Sequence, residues 1–184
     1  MAHITFITGN QNKADYLSKF LDISLAHCKI DLDEIQSLSL SEIVEHKVKQ
    51  AYSIIKKPVL VEDTSLEFAA LGTLPGPFIK FFIEQMPLEN ICEMIGGGSR
   101  AATARSAFGY YDGTTLQLIE GGMNGSIALK PAGSGGYGWD KIFIPEGFFK
   151  TQAQLSSKDY ETNYVKIKEL KKLREFLEII KNES

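Results

Sequence analysis

Apolar residues fall in short blocks along this chain, and their spacing changes from block to block. Ile4 to Thr8 is a brief apolar run closed by Gly9-Asn10, which predicts a short buried strand ending in a turn. Ala14, Leu17, Phe20 and Leu21 then recur on one face of a predicted helix. A second short strand is expected near Ile30 to Leu32. Ser39 followed by Glu42 has the spacing of a capping box, and Val44, Val48, Ala51 and Ile55 continue as a helical seam that Pro58 stops. Val59-Leu60-Val61 reads as one more brief buried strand, with two carboxylates, Glu62 and Asp63, at its end. Strand, helix, strand, helix, strand is the opening of an α/β sheet.

Beyond the Gly72 to Pro77 loop, Phe78, Phe81, Phe82 and Met86 predict a helix. Leu88, Ile91, Cys92 and Ile95 predict another, closed by Gly96 to Gly98. The pattern then changes. Ala101 to Tyr111 and Thr114 to Glu120 flank an Asp112-Gly113 turn, the mark of a β-hairpin. Gly121-Gly122 is expected to mark a bulge or bend before a strand at about Ser126 to Leu129, and Trp139 to Pro145 reads as a further strand. From Asp159 to Lys181 a single helix is expected, with Tyr164, Ile167, Leu170, Leu173, Leu177 and Ile180 on one stripe. No repeat, low-complexity segment or interdomain linker interrupts residues 1–184, so one domain is expected.

Composition narrows this picture. At 184 residues the chain is long enough for a real core, and 43% hydrophobic with 23% charged residues is ordinary for a globular protein. A net charge of −3 provides no broad basic surface, which argues against polymeric nucleic acid as a partner but leaves room for a small phosphorylated ligand. Cys28 and Cys92 have no metal-ligand spacing. There is neither a signal-peptide pattern nor an apolar stretch approaching the ~20 residues that cross a bilayer, so a cytoplasmic protein with no membrane partner is expected.

Three segments carry candidate chemistry. Thr8 to Lys13 is a strand-to-helix turn whose backbone N–H groups and helix dipole favour phosphate, with Lys13 in the first turn; a plain turn capped by Asn10 is the alternative. Glu62-Asp63 offers hard oxygen ligands that suit Mg²⁺, or is an exposed strand end. Gly133 to Gly138 has the G-x-G-x-x-G spelling without a helix after it, so its aromatic neighbours matter more. Tyr137 and Trp139, beside Asp140, either stack on a base and read its edge or fill the core. Zinc ligand spacing and a G-x-S-x-G elbow are both missing from the sequence.

In this order and spacing the segments resemble the inosine/xanthosine triphosphate pyrophosphatase family. The resemblance rests on Phe6-Ile-Thr-Gly-Asn-x-x-Lys13, Ile30-Asp-Leu-x-Glu34, Pro58-Val-Leu-Val-Glu-Asp-Thr64, Leu71-Gly-x-Leu-Pro-Gly-Pro77 with Ile79-Lys80, and Gly138-Trp-Asp140. It implies an elongated α/β fold, a mixed sheet flanked by helices in two lobes with a cleft between them, and a homodimer. It also implies hydrolysis of a nucleoside triphosphate to monophosphate and pyrophosphate, which clears non-standard purine nucleotides. Thr8, Gly9, Asn10 and Lys13 would hold phosphates, and Glu34 and Asp63 would bind Mg²⁺. Asp63 and Lys13 would act in catalysis, while Lys47, Thr64 and Lys80 would contact the substrate. Tyr137, Gly138, Trp139 and Asp140 would form the base pocket. The sequence departs from the family at Tyr16, Lys141 and Gln154, which stand for Glu, Pro and Glu. Tyr160-Glu161 stands for a Lys-Asn pair, and Tyr164-Val165-Lys166 stands for Ser-His-Arg, leaving Lys166 as the remaining cation there. Altered or relaxed base preference is expected, with a nucleotide-binding homologue that does not hydrolyse as the alternative.

Overall fold

Residues 4–9, 11–23 and 25–183 are described by a computed structural model. The first apolar run forms β1 (Thr5–Ile7), and α1 (Gln11–Leu21) follows, burying Ala14, Leu17 and Leu21. The second strand is β2 (Ala26–Cys28), pairing in parallel with β1, and not Ile30 to Leu32. Ile30 and Leu32 instead pack, half-buried, against the first core described below.

Helix α2 (Leu40–Ile55) begins where expected, with Ser39 accepting from the Glu42 amide at 3.3 Å. The reciprocal half of the capping box is absent from the described contacts of Glu42, whose carboxylate accepts from the Ser37 hydroxyl at 2.6 Å. The helix ends in a left-handed Lys56 two residues before Pro58.

The third strand departs furthest from expectation. β3 (Val59–Phe68) runs for 10 residues, so Glu62 and Asp63 lie inside a strand and not at its end. It is extended by pairing with β4 (Pro75–Gly76), Leu66 facing Gly76 across the ladder. After α3 (Ile79–Gln85) and α4 (Leu88–Glu93) comes the hairpin, β5 (Ala101–Tyr111) and β6 (Leu116–Ile127). Asp112 closes it by accepting from the Thr114 and Thr115 amides at 2.9 and 2.7 Å. β6 passes straight through Gly121-Gly122, so the expected bend and separate strand merge into one. Trp139 to Pro145 divides into a 3-10 turn at Gly138–Lys141 and β7 (Phe143–Pro145).

The C-terminal helix is also two: α5 (Ser157–Ile167) and α6 (Leu170–Glu183), parted where Glu169 takes a φ of 48°. Among the described residues seven strands form one mixed sheet in the order β2-β1-β3-β5-β6-β7, with β4 on β3. Helices accompany it, as the α/β expectation required.

By their contacts the residues group into two units, 1–63 with 107–120 and 169–184, and 64–106 with 121–168. Each has its own core. In the first, Val44, Val48 and Ala51 of α2 meet Val59, Val61 and Ala107. In the second, Leu66, Phe68, Ile91, Ile127 and Phe143 are the centre.

Candidate active site

Period-two geometry decides what the tandem acids do. Adjacent residues of a strand face opposite sides of the sheet. Asp63 therefore shares a side with Val59 and Val61, which pack in the cluster that holds α2, while Glu62 points the other way. The contacts follow this rule. Asp63 Oδ2 lies 2.6 Å from the Lys47 ammonium on α2, and Glu62 Oε2 lies 2.7 Å from the Lys13 ammonium on α1.

Lys47 meets a second acid, Glu34, at 2.9 Å. Glu34 reaches it because its loop is pinned to α2. Gln50, three residues after Lys47, accepts from the Asp33 amide and donates to the Asp33 carboxylate, both at 2.8 Å. Glu34, Lys47 and Asp63 are thus brought together from a loop, a helix and a strand. Burial alone would lower the pKa of Lys47. The charge and hydrogen bond of Asp63, followed by those of Glu34, outweigh it and hold the ammonium above its ordinary range.

Lys13 sits differently. Its partner Glu62 has a side chain only 1% exposed, so this is a buried ion pair held by the first turns of α1. The sequence reading took Glu62, with Asp63, as an oxygen ligand or an exposed strand end, and did not name it as the partner of Lys13. The signal was there: an acid on an otherwise apolar strand needs a cation, and Lys13 is the nearest one that the strand-to-helix turn delivers. Thr8 is half-buried, and its amide donates to the Cys28 carbonyl at 2.9 Å. Gly9 is exposed, and Asn10 lies outside the described residues. Thr64 is half-buried on β3.

The remaining expected site residues lie in the second unit. Lys80 is exposed at the start of α3, its ammonium 6.0 Å from the Phe81 ring centroid. The two aromatic rings part company. Trp139 packs edge-on against Phe143 at 5.6 Å and joins the second core, whereas Tyr137 is 55% exposed. Gly138 supplies a φ of 60° between them.

Asp140 is buried, and one of its oxygens accepts from the Tyr137 amide and from the Tyr160 hydroxyl, each at 3.0 Å. Burial pushes its carboxyl above the ordinary range, against the pull of those two donors. Tyr160 is a contact the sequence reading did not foresee; Lys166 is exposed on the last turn of α5. Among the described residues no helix is long and apolar enough to cross a membrane, and no cluster of three or more His, Cys, Asp or Glu side chains is positioned to hold a metal.

A seven-stranded mixed sheet accompanied by helices puts the chain among the α/β proteins, and lysines of its first two helices pair with tandem acids on its third strand. Residues 4–179 match the Ham1 family, and the chain belongs to it. Inosine triphosphate pyrophosphatase of Scheffersomyces stipitis is 37% identical over 193 aligned residues, covering 96% of this chain and 98% of that protein. Inosine triphosphate pyrophosphatase 2 of Trypanosoma cruzi is 40% identical over 161, covering 85% and 82%. A HAM1 protein of Coxiella burnetii shares the fold, with a TM-score of 0.80 at 21% identity over the whole of both chains.

Proposed function

We propose that this protein hydrolyses a nucleoside triphosphate to the monophosphate and pyrophosphate, acting on non-standard purine nucleotides with relaxed base preference. The relatives named above support the reaction. The observation that carries it here is the meeting of Glu34 and Asp63 on one cationic nitrogen, Lys47 Nζ, within 2.9 and 2.6 Å. Two carboxylates that already bracket a cation fit Mg²⁺, which binds through one or two such groups and completes its shell with water and substrate phosphates. When bound, the metal would neutralise phosphate charge and make water more acidic.

The chain's own residues do the rest. Asp63 holds the attacking water and accepts its proton. Lys47, beside Glu34 and Asp63, and Lys13, held by Glu62, face the developing charge on phosphate with Thr8 and Gly9. Thr64 and Lys80 contact the phosphate chain as well. Tyr137, Gly138, Trp139 and Asp140 handle the base, with Lys166 a flexible cation where an Arg would grip a keto oxygen. The resemblance further supports a single functional domain that works as a cytoplasmic homodimer, and sedimentation at micromolar concentration tests the assembly.

The reaction itself is tested by a panel of ribo- and deoxynucleoside triphosphates with Mg²⁺, scoring pyrophosphate and orthophosphate separately. Pyrophosphate with monophosphate is expected. Orthophosphate and a diphosphate as first products would overturn the reading.

A further inference from the structure

Helix α5 carries Tyr160 and Tyr164, and Lys168 caps its C-terminus; at four-residue spacing the three form a ladder ending on Asp140. The Tyr160 hydroxyl donates to Asp140, its ring stacks on Tyr164 with centroids 6.2 Å apart and planes 22° from parallel, and the Lys168 ammonium lies 4.8 Å from the Tyr164 centroid. Positions i, i+4 and i+8 lie on one face of a helix, so the three groups support one another in turn. Lys168 is buried, only 5% exposed, which fixes the far end.

The near end is fixed as well. Gln152 donates to the Tyr160 carbonyl at 3.3 Å and accepts from Asn163 at 3.2 Å. At the Asp140 end the fit is close: Gly136 has a φ of 63°, and a Cβ there would overlap the Asp140 carboxylate. Because Asp140 also accepts the Tyr137 amide, the ladder reaches the backbone of the one aromatic residue in this loop whose ring is exposed.

We propose that Tyr160 is a positioning residue that sets base selectivity: through Asp140 it fixes the backbone of Tyr137, and with it the exposed ring on which a base stacks. This rests on the base role proposed above for Tyr137. Selection then works by stacked area. Purines, whether keto or amino, are preferred over pyrimidines, and no donor pattern separates one purine from another. The hydroxyl acts through a carboxylate and does not touch the base.

The test is Tyr160→Phe, which deletes the hydroxyl and keeps the stack on Tyr164. Trp139 is the only tryptophan of the chain and adjoins Asp140, so its fluorescence reports on this loop directly. Inosine, adenosine and cytidine triphosphates are titrated against wild type and variant in EDTA, where there is no turnover. Affinity for both purines should fall about five-fold, the size of one lost hydrogen bond, while cytidine triphosphate affinity stays unchanged. An equal fall for all three, or no fall, in a protein with wild-type circular dichroism overturns the proposal.

Should Tyr160→Phe fail to fold, Tyr164→Ala removes the ring behind Tyr160 and must give the same purine-specific loss; its absence overturns the proposal equally. Pyrophosphate release is measured in parallel with Mg²⁺. Purine-selective binding without release removes the proposed reaction and leaves Tyr160 in its role. Release with unchanged selectivity in the variant does the reverse.

Discussion

In the first unit, charged side chains answer one another directly: Lys13 with Glu62, and Lys47 with Glu34 and Asp63. In the second, one buried carboxylate is held by an amide and a phenol, and the cation at the end of the ladder meets a ring. The first group keeps the Lys13, Glu34, Lys47 and Asp63 that the family resemblance calls for, although Tyr16 departs from it on the same unit's α1, whereas most of the departures fall in the second. Physical constraint explains the contrast. A carboxylate on a buried strand needs a matched charge at hydrogen-bond distance, and no neutral side chain substitutes for it without stranding the partner. Stacking and hydroxyl donation can be rebuilt from many side chains, since every base has a π-face and several residues carry a donor.

The hardest test of this contrast is Asp63→Asn. An amide is a poor ligand for a hard cation and does not accept a proton from water, so pyrophosphate release should fall at least about 10³-fold. Helical and strand signals in circular dichroism should persist. In the second unit, Tyr137→Ala should raise KM and leave kcat nearly unchanged. If a folded Asp63→Asn protein keeps near-normal activity, the two groups do not divide the chemistry in this way.

The difference between the groups also bears on what was readable beforehand. The hairpin was legible because its turn residues and alternation are local, and Asp112 closes it as they predict. Strand β3 was underestimated because polar Glu62, Asp63 and Thr64 break its apolar run; Glu62 and Asp63 are met by Lys13 of α1 and Lys47 of α2, beyond the reach of any local pattern. The break between α5 and α6 falls on Glu169, a good helix former, so nothing nearby announces it. Lys13, Lys47, Glu34 and Asp63 were each visible as residues, but which acid meets which lysine is a long-range fact. Tyr160 was visible only as a departure, and its hydrogen bond to Asp140 spans 20 residues of chain.

Glu62→Gln sharpens the comparison next, through stability. Lys13 would lose the buried carboxylate 2.7 Å away, and one partner of a buried pair removed costs about 3 kcal/mol or more. Urea unfolding should show that loss. Tyr160→Phe, which removes one of the two donors to the Asp140 carboxylate and strands no charge of its own, should cost about 1.5 kcal/mol on the same scale. Equal losses from the two would erase the distinction between charge matching and stacking.

Rebuilding part of the missing donor set gives a smaller, directed effect. Val165→His together with Lys166→Arg leaves the Tyr160–Tyr164 stack in place and adds fixed donors on the same helix. A site with buried donors rejects a base that leaves them unpaired, so the ratio of kcat/KM for inosine over adenosine triphosphate should rise about ten-fold. The unmodified protein should show a ratio near one. A strong inosine preference before any substitution would mean that other residues read the base.

The smallest effect concerns the aromatics of the first unit, which are core and not a stacking surface. Tyr110 on β5 is 1% exposed and lies edge-on to Phe176 at 5.2 Å, its hydroxyl donating to Asp112 at 3.3 Å. Burial, reinforced by the Asp112 charge, pushes its pKa up to about 12. In the unfolded chain a tyrosine titrates near about 10. The folded value is the higher one, so the folded state keeps its proton where the unfolded chain has lost it. The contribution to stability is therefore complete below about pH 10 and is lost as the pH rises toward about 12, on the order of 2 kcal/mol in all. Absorbance of ionised tyrosine near 295 nm should show a late-titrating component in wild type that shrinks by one group in Tyr110→Phe, and the alkaline limb of the unfolding curve should flatten with it. If the late component is unchanged in Tyr110→Phe, the Tyr110 ring is open to water, and the assignment of this unit's aromatics to the core is wrong.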